Sequence, residues 1–288
     1  MDIALEIKGL SKKYKGFTLN DVSFSLPQGY IMGLIGPNGA GKTTIIKLIM
    51  NLIHKDAGEI RVFGEDHLKK EKEIKARIGF VHETPTFYDD ASLRDIRTAI
   101  SLFYKNWDEK LFMSLIEEFA LPLEKKFKKL SQGMKMKFSI ALALAHDADL
   151  LIMDEPTSGL DPVFRRELLE RLSGLIQDER KSILYSTHIT SDLEKAADYI
   201  TFIKNGEVIF SSPKDELKEN WGIIRGGKEL LTGQNRKLFK GLRETPFGVE
   251  ALTANVQEAR RHLNSAVVID RASIEDIMVF IDQGEDHA

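Results

Sequence analysis

The run Gly36-Pro37-Asn38-Gly39-Ala40-Gly41-Lys42-Thr43-Thr44 concentrates glycines, a lysine and hydroxyls in one short stretch. Glycines let a backbone wrap an anion with its N–H groups facing inward, and a helix starting there adds its positive end. Lys42 supplies a point charge for β- and γ-phosphates, and Thr43 an oxygen for Mg²⁺. The bland alternative, a glycine-rich strand-to-helix turn, explains neither the lysine nor the hydroxyls. Farther along, Asp154 and Glu155 end the apolar run Leu150-Leu151-Ile152-Met153, and His188 ends Ser182–Thr187. One acid suits Mg²⁺ and the second an attacking water; we assign Asp154 to the metal and Glu155 to the water. His188 is expected to contact the γ-phosphate and to hold Glu155 and the water in place.

These groups need a scaffold that brings strand ends together. Tyr30–Ile35 is an apolar run, and Arg77–Glu83, Asp149–Glu155 and Ser182–His188 are runs ending in polar tips, as expected of buried parallel strands whose carboxyl ends carry a site. Ile3, Leu5 and Ile7 alternate with Ala4, Glu6 and Lys8, and Val22, Phe24 and Leu26 alternate likewise, giving half-buried strands on either side of a polar turn over 10–16. From about 90 to 146 the period is helical. Asn106 or Asp108 can cap one helix there and Ser131 another. Two strands turn at Asn205-Gly206. Ser211-Ser212-Pro213 marks a boundary, so 1–212 and 213–288 read as separate domains. In the second, strands are expected near Ile223, Leu238–Leu242, Val249–Leu252 and Val267–Ile269. Helices are expected over Asn255–Leu263 and Ser273–Ile281, the last with Ile274, Ile277, Met278 and Ile281 inward.

The chain has 288 residues, 42% of them hydrophobic and 30% charged, with net charge −3 and no cysteine. That composition fits a globular protein of one large and one small domain. It excludes disulfides and thiolate zinc sites, and it carries no overall basic field toward nucleic acid. No run approaches the roughly 18 apolar residues of a membrane span. Met1–Glu6 carries acids and alternates, which reads as a strand and not as a secretory signal.

Five motifs in one order carry a specific resemblance over about residues 1–212: Gly36–Thr43, Leu130-Ser131-Gln132-Gly133-Met134, Asp154-Glu155-Pro156, Ser158-Gly159-Leu160-Asp161 and Ser186-Thr187-His188. Together they resemble the ATPase subunit of ATP-binding-cassette (ABC) transporters. Asn106-Trp107-Asp108, the signature and the C-terminal extension are similar to bacterial type-2 exporter ATPases of the multidrug, peptide or bacteriocin kind. The resemblance implies an α/β fold: a P-loop NTPase core of ABC type, an antiparallel β subdomain, an inserted helical subdomain and a small C-terminal α+β appendage. It implies ATP and Mg²⁺ as cofactors, hydrolysis coupled to export, and a cytoplasmic location on the inner face of the membrane. Its partners would be a second ATPase subunit, in a homo- or heterodimer, and an integral-membrane permease, with no nucleic acid.

By the same resemblance Tyr14 stacks on adenine, and Gly36, Pro37, Asn38, Gly39, Ala40, Gly41, Lys42, Thr43 and Thr44 bind ATP. Leu130, Ser131, Gln132, Gly133 and Met134 would close over the ATP of the opposite subunit, and Asp161 would lie in the loop crossing the dimer interface. Glu83 stands where the family usually has a glutamine that senses Mg²⁺ and the transport subunit. Gln132 and Met134 also depart from the usual signature, whereas Ser131 and Gly133 remain. Thr84–Tyr88 and the helical insertion would form the groove for a permease helix, with Phe87 and Tyr88 as its floor. Lys125–Lys129 reads as a solvated face. Two other classes compete: a non-transport ABC protein acting on ribosomes or DNA, and a module that holds ATP without turnover. The single cassette argues against the first, and the presence of both Glu155 and His188 against the second.

Overall fold

The computed structural model describes residues 2–227, 230, 235–246, 248–263 and 267–283. The chain divides into two compact units, Met1–Ser211 and Ser212–Ala288. In chain order the first contains β1 (Ile3–Tyr14), β2 (Phe17–Pro27), β3 (Ile31–Ile35), α1 (Lys42–Ile49), β4 (Ala57–Val62), β5 (Glu65–Asp66), α2 (Glu71–Lys75) and β6 (Ile78–Val81). There follow α3 (Leu93–Ser101), α4 (Glu109–Glu118), α5 (Gln132–Leu144), β7 (Leu150–Asp154), α6 (Pro162–Leu175), β8 (Ser182–Thr187), α7 (Thr190–Ala196), β9 (Tyr199–Lys204) and β10 (Glu207–Pro213), whose last two residues fall past the division.

A six-stranded sheet in the order β10-β9-β3-β8-β7-β6 forms the centre of this unit. β3 pairs in parallel with β8 and β9, and β7 in parallel with β6 and β8. Every residue of β3, β7 and β8 is buried, which is why these strands read as continuous apolar runs: helices cover both faces of a parallel sheet. The register sets Ile35 beside Thr187 and Asp154 beside Ser186, so three strand ends finish level on one edge.

The second sheet, in the order β2-β1-β4-β5, is antiparallel. Here the expected turn over 10–16 is corrected. β1 runs on to Tyr14, and only Lys15-Gly16 turns. Register shifts between Ile7 and Leu10 and between Leu10 and Lys12 absorb the broken alternation, as β-bulges do. The shifted register keeps Leu10 fully buried.

Between β6 and β7 lie the helices of the insertion. Ser92 and Asp95 form a reciprocal capping box on α3, Asp108 caps α4 through Leu111 N–H, and Ser131 caps α5 through Met134 N–H. Each satisfies a helix N–H that has no partner within the helix. Phe112, Phe127 and Phe138 form the aromatic centre of the insertion.

The second unit contains α8 (Lys214–Asn220), β11 (Gly222–Gly226), β12 (Gly241–Thr245), β13 (Gly248–Thr253), α9 (Val256–His262), β14 (Val268–Arg271) and α10 (Ile274–Gln283). Its sheet, β12-β13-β11-β14, is antiparallel throughout. The strand expected over Leu238–Leu242 is displaced: Asn235–Leu238 is a 3-10 turn and β12 starts at Gly241. Pairing begins only where Lys240 N–H reaches the Leu252 carbonyl at 2.7 Å. Ser273 and Asp276 cap α10 reciprocally. Ile274, Ile277 and Phe280 are its buried residues, so Phe280 takes an inward place expected of Met278 and Ile281.

Candidate active site

The loop after β3 turns back sharply, and two glycines make the path possible. A Cβ on Gly36 would sit 2.1 Å from the Ile203 carbonyl oxygen. Gly41, the N-cap of α1, has φ +113°, a conformation that disfavours any side chain. The loop and α1 form one wall of a cavity of about 620 Å³ that is also lined by Gly16, Phe17, Glu83 and Glu155.

Lys42 is buried at the base of the loop, where its Nζ donates to the Gly36 carbonyl at 2.8 Å and the Pro37 carbonyl at 3.3 Å. It also lies 3.5 Å from Glu155 Oε1. Glu155 Oε2 is 2.8 Å from His188 Nδ1. Glu155 therefore stands between the lysine and the imidazole, one oxygen toward each. Its backbone is in the left-handed region, φ +48°, which few residues other than glycine adopt. The turn is held because Glu155 N–H is in reach of both the Ser186 carbonyl (3.2 Å) and Ser186 Oγ (3.0 Å).

Asp154 is fully buried. Its Oδ1 accepts from Ser186 Oγ at 2.6 Å and from Thr43 Oγ1 at 3.3 Å. Its Oδ2 is buried with no hydrogen-bond partner. A buried carboxylate oxygen without a partner is costly, and beside a threonine hydroxyl at a phosphate loop it fits a hard cation with oxygen ligands, Mg²⁺ above all. Among the described residues no group of three or more His, Asp or Glu side chains forms a metal cluster. Mg²⁺ is usually held by one or two carboxylates together with substrate phosphates.

The remaining predicted residues fall in two places. Glu83, just past β6, lines the same cavity as the loop. Tyr14 does not line it: the residue is 41% exposed at the β1–β2 turn, with Lys12 Nζ 5.7 Å from its ring centroid. Phe17, paired with Tyr14 across that turn, does line the cavity and lies against Gly41. Sequence reasoning passed over Phe17 because in an alternating strand it reads as ordinary packing. Its place one turn from Tyr14 was the available signal.

Leu130, Ser131, Gln132, Gly133 and Met134 are absent from the cavity walls. Ser131 and Gln132 are exposed at the start of α5, and Gly133 lies beside Gly159 and Leu160. Asp161 is exposed and caps α6 through Phe164 N–H at 3.0 Å. That hydrogen bond holds its carboxyl below the usual aspartate range. A second cavity, of about 400 Å³, is lined by Phe80, His82, Pro85, Phe87, Tyr104 and His146, among others. Phe87 lines it, packed edge-on against Phe127 and Phe138, whereas Tyr88 is 87% exposed and does not line it. Lys126 and Lys128 both pair with Asp90 at the surface.

Residues 19–158 match the ABC transporter family. The bacitracin transport ATP-binding protein BcrA of Bacillus licheniformis is 36% identical over 225 residues, covering 76% of this chain and 72% of its own. The chain belongs to the ABC transporter ATP-binding proteins. The lantibiotic transport ATP-binding protein SrtF of Streptococcus pyogenes is likewise 36% identical, over 73% of this chain and 91% of its own. A solved ATP-binding subunit of an ABC transporter superposes with TM-score 0.67 at 31% identity, over 75% of this chain and 92% of that one. As an ABC ATPase the chain binds and hydrolyses ATP, and its phosphate-loop cavity lies at the strand ends where this fold carries nucleotide. No helix among the described residues is long and apolar enough to cross a membrane.

Proposed function

We propose that this ABC ATPase works as one of two subunits that sandwich ATP and power export of a peptide-antibiotic-like cargo through a separate membrane permease. The observation that carries the two-subunit reading is the split of the site. The cavity holds the loop, Glu83 and Glu155, while Ser131 and Gly133 of the same chain lie outside its walls. A second copy would supply them to the phosphates, with the N-terminus of its α5 facing the anion. The cargo class rests on the names of BcrA and SrtF. The 400 Å³ groove beside the insertion would receive the permease.

In the hydrolytic step the loop N–H groups and Lys42 hold the β- and γ-phosphates, and Glu155 takes a proton from the attacking water. His188 orients Glu155 from 2.8 Å and contacts the γ-phosphate. Thr43, Asp154 and Glu83 would hold Mg²⁺, which supplies charge neutralisation on the phosphates. Phosphoryl transfer of this kind is accelerated mainly by positioning and charge. Phe17, which lines the cavity, would face the base, with Tyr14 its neighbour across the β1–β2 turn.

The test is Glu155→Gln. It keeps the side-chain shape and removes the base, so kcat falls by about 10²- to 10⁴-fold. ATP binding persists, and sizing in ATP shows a trapped dimer. Parent-like turnover would remove Glu155 as the base, and a monomer at saturating ATP would remove the two-subunit site.

A further inference from the structure

A buried polar assembly around Asp192 lies outside the residues assigned to the phosphates. Asp192, on α7, has a side chain 2% exposed. Its Oδ2 accepts from Thr157 Oγ1 at 2.8 Å. Its Oδ1 accepts from Arg165 Nε at 2.8 Å and Arg165 Nη2 at 2.6 Å. The same guanidinium donates to Ser191 Oγ at 3.1 Å. Both carboxylate oxygens are therefore satisfied, one by a hydroxyl and one by a charged fork.

The three partners come from three functional segments. Thr157 lies in the turn that begins at Glu155 and closes through Ser158 N–H on the Glu155 carbonyl, 3.1 Å. Arg165 is on α6, whose cap is Asp161. Asp192 lies in the first turn of α7, just past His188, with its N–H on the Ile189 carbonyl at 3.2 Å. The turn at Glu155 is held in its left-handed conformation from upstream by Ser186; downstream, Thr157 is its side-chain tie.

We propose that Asp192, with Thr157 and Arg165, is a positioning residue for hydrolysis: it fixes the turn of Glu155 and the segment of His188 to one another and so sets the 2.8 Å Glu155–His188 contact. This rests on the assignment of Glu155 and His188 to the reaction. A buried, fully bonded ion pair is often replaceable by apolar groups without loss of stability, so stability alone does not account for the choice of residues. Displacing a reacting group by about 1 Å costs on the order of 100-fold in rate, which gives such a tie a function.

The experiment compares full-length Thr157→Val, Thr157→Ser and Asp192→Asn, with Glu155→Gln as control. It measures kcat and KM for Mg-ATP, the Kd of a non-hydrolysable ATP analogue, and Tm. Thr157→Val loses only the hydroxyl and should lower kcat about 10- to 100-fold, with KM and Kd within about threefold of the parent. Thr157→Ser keeps the hydroxyl and recovers most of the parent kcat, and Asp192→Asn shows the same split as Thr157→Val. The proposal is overturned if Thr157→Val keeps the parent kcat, if kcat and nucleotide affinity fall together, or if Thr157→Ser is as slow as Thr157→Val. A Glu155→Gln control that still turns over ATP indicts the catalytic assignment instead, so the two failures are told apart.

Discussion

Both units of the chain are layered from sheet and helix, yet they place polar groups in opposite ways. In Met1–Ser211 the parallel strands run the same way and finish level. There Lys42, Asp154, Glu155, Ser186, Thr187 and Asp192 are all buried. In Ser212–Ala288 Thr253 is the buried polar residue among those described. Charges there meet at the surface instead: Arg225 reaches Glu250 and Asp270, and Arg243 also reaches Glu250. Alternating strand directions scatter strand ends to both edges, so no common edge collects functional groups. A parallel sheet collects them, and it bears the cost of burying charge so that the groups are already held when phosphate arrives.

Three measurements sharpen or break this contrast. Lys42→Ala should have the largest effect. Loss of a charged hydrogen-bond donor, worth about 1.5–3 kcal/mol, lowers ATP affinity about 10- to 100-fold as read by a fluorescent analogue; unchanged affinity would detach the loop from the site.

The second measurement uses pH. Burial lowers the basicity of His67 and His146, both in the first unit. Their folded pKa values lie below the unfolded value of about 6.5, so the unfolded chain binds more protons and stability falls as pH drops below that value. The slope is at most about 1.4 kcal/mol per pH unit for each histidine. In the second unit Glu250 is held below its usual range by Arg225 and then Arg243. Its contribution is present above about pH 4.3 and is lost as pH falls through the lowered folded value. The two tryptophans, Trp107 and Trp221, report one unit each. In Trp221→Phe and Trp107→Phe variants the urea midpoint of the first unit should drop between pH 7 and pH 5, and that of the second should hold. Midpoints that move together would erase the distinction.

The smallest effect is expected of Arg225→Ala. Its side chain is 47% exposed, so screening keeps the loss to about 0.5–1 kcal/mol in the second unit, measured by Trp221 fluorescence, with ATPase activity unchanged. A drop in kcat would give the second unit a part in the reaction.

Much of the first unit was legible because each signal is local. Loop glycines, the apolar runs of β3, β7 and β8, and the caps Asp108, Ser131 and Ser273 each declare themselves within a few residues. The extension of β1 past Leu10 was not legible, because a bulge breaks alternation while pairing continues. The start of β12 was not legible either, since it depends on β13. Phe17 was hidden in a strand pattern, and Thr157, Arg165 and Asp192 carry no spacing signal at all.

By itself the sequence determined the chemistry on offer: a loop for phosphate, acids and a histidine at strand ends, and two units. These depend on residue type and on contacts a few positions apart. Tertiary structure alone decided that Glu155 has one oxygen toward Lys42 and the other on His188. It also left Oδ2 of Asp154 without a partner and kept Ser131 and Gly133 out of the cavity they resemble part of. Those facts follow from strand order and register, which place Asp154 beside Ser186 and Ile35 beside Thr187 across sequence separations that no local pattern encodes.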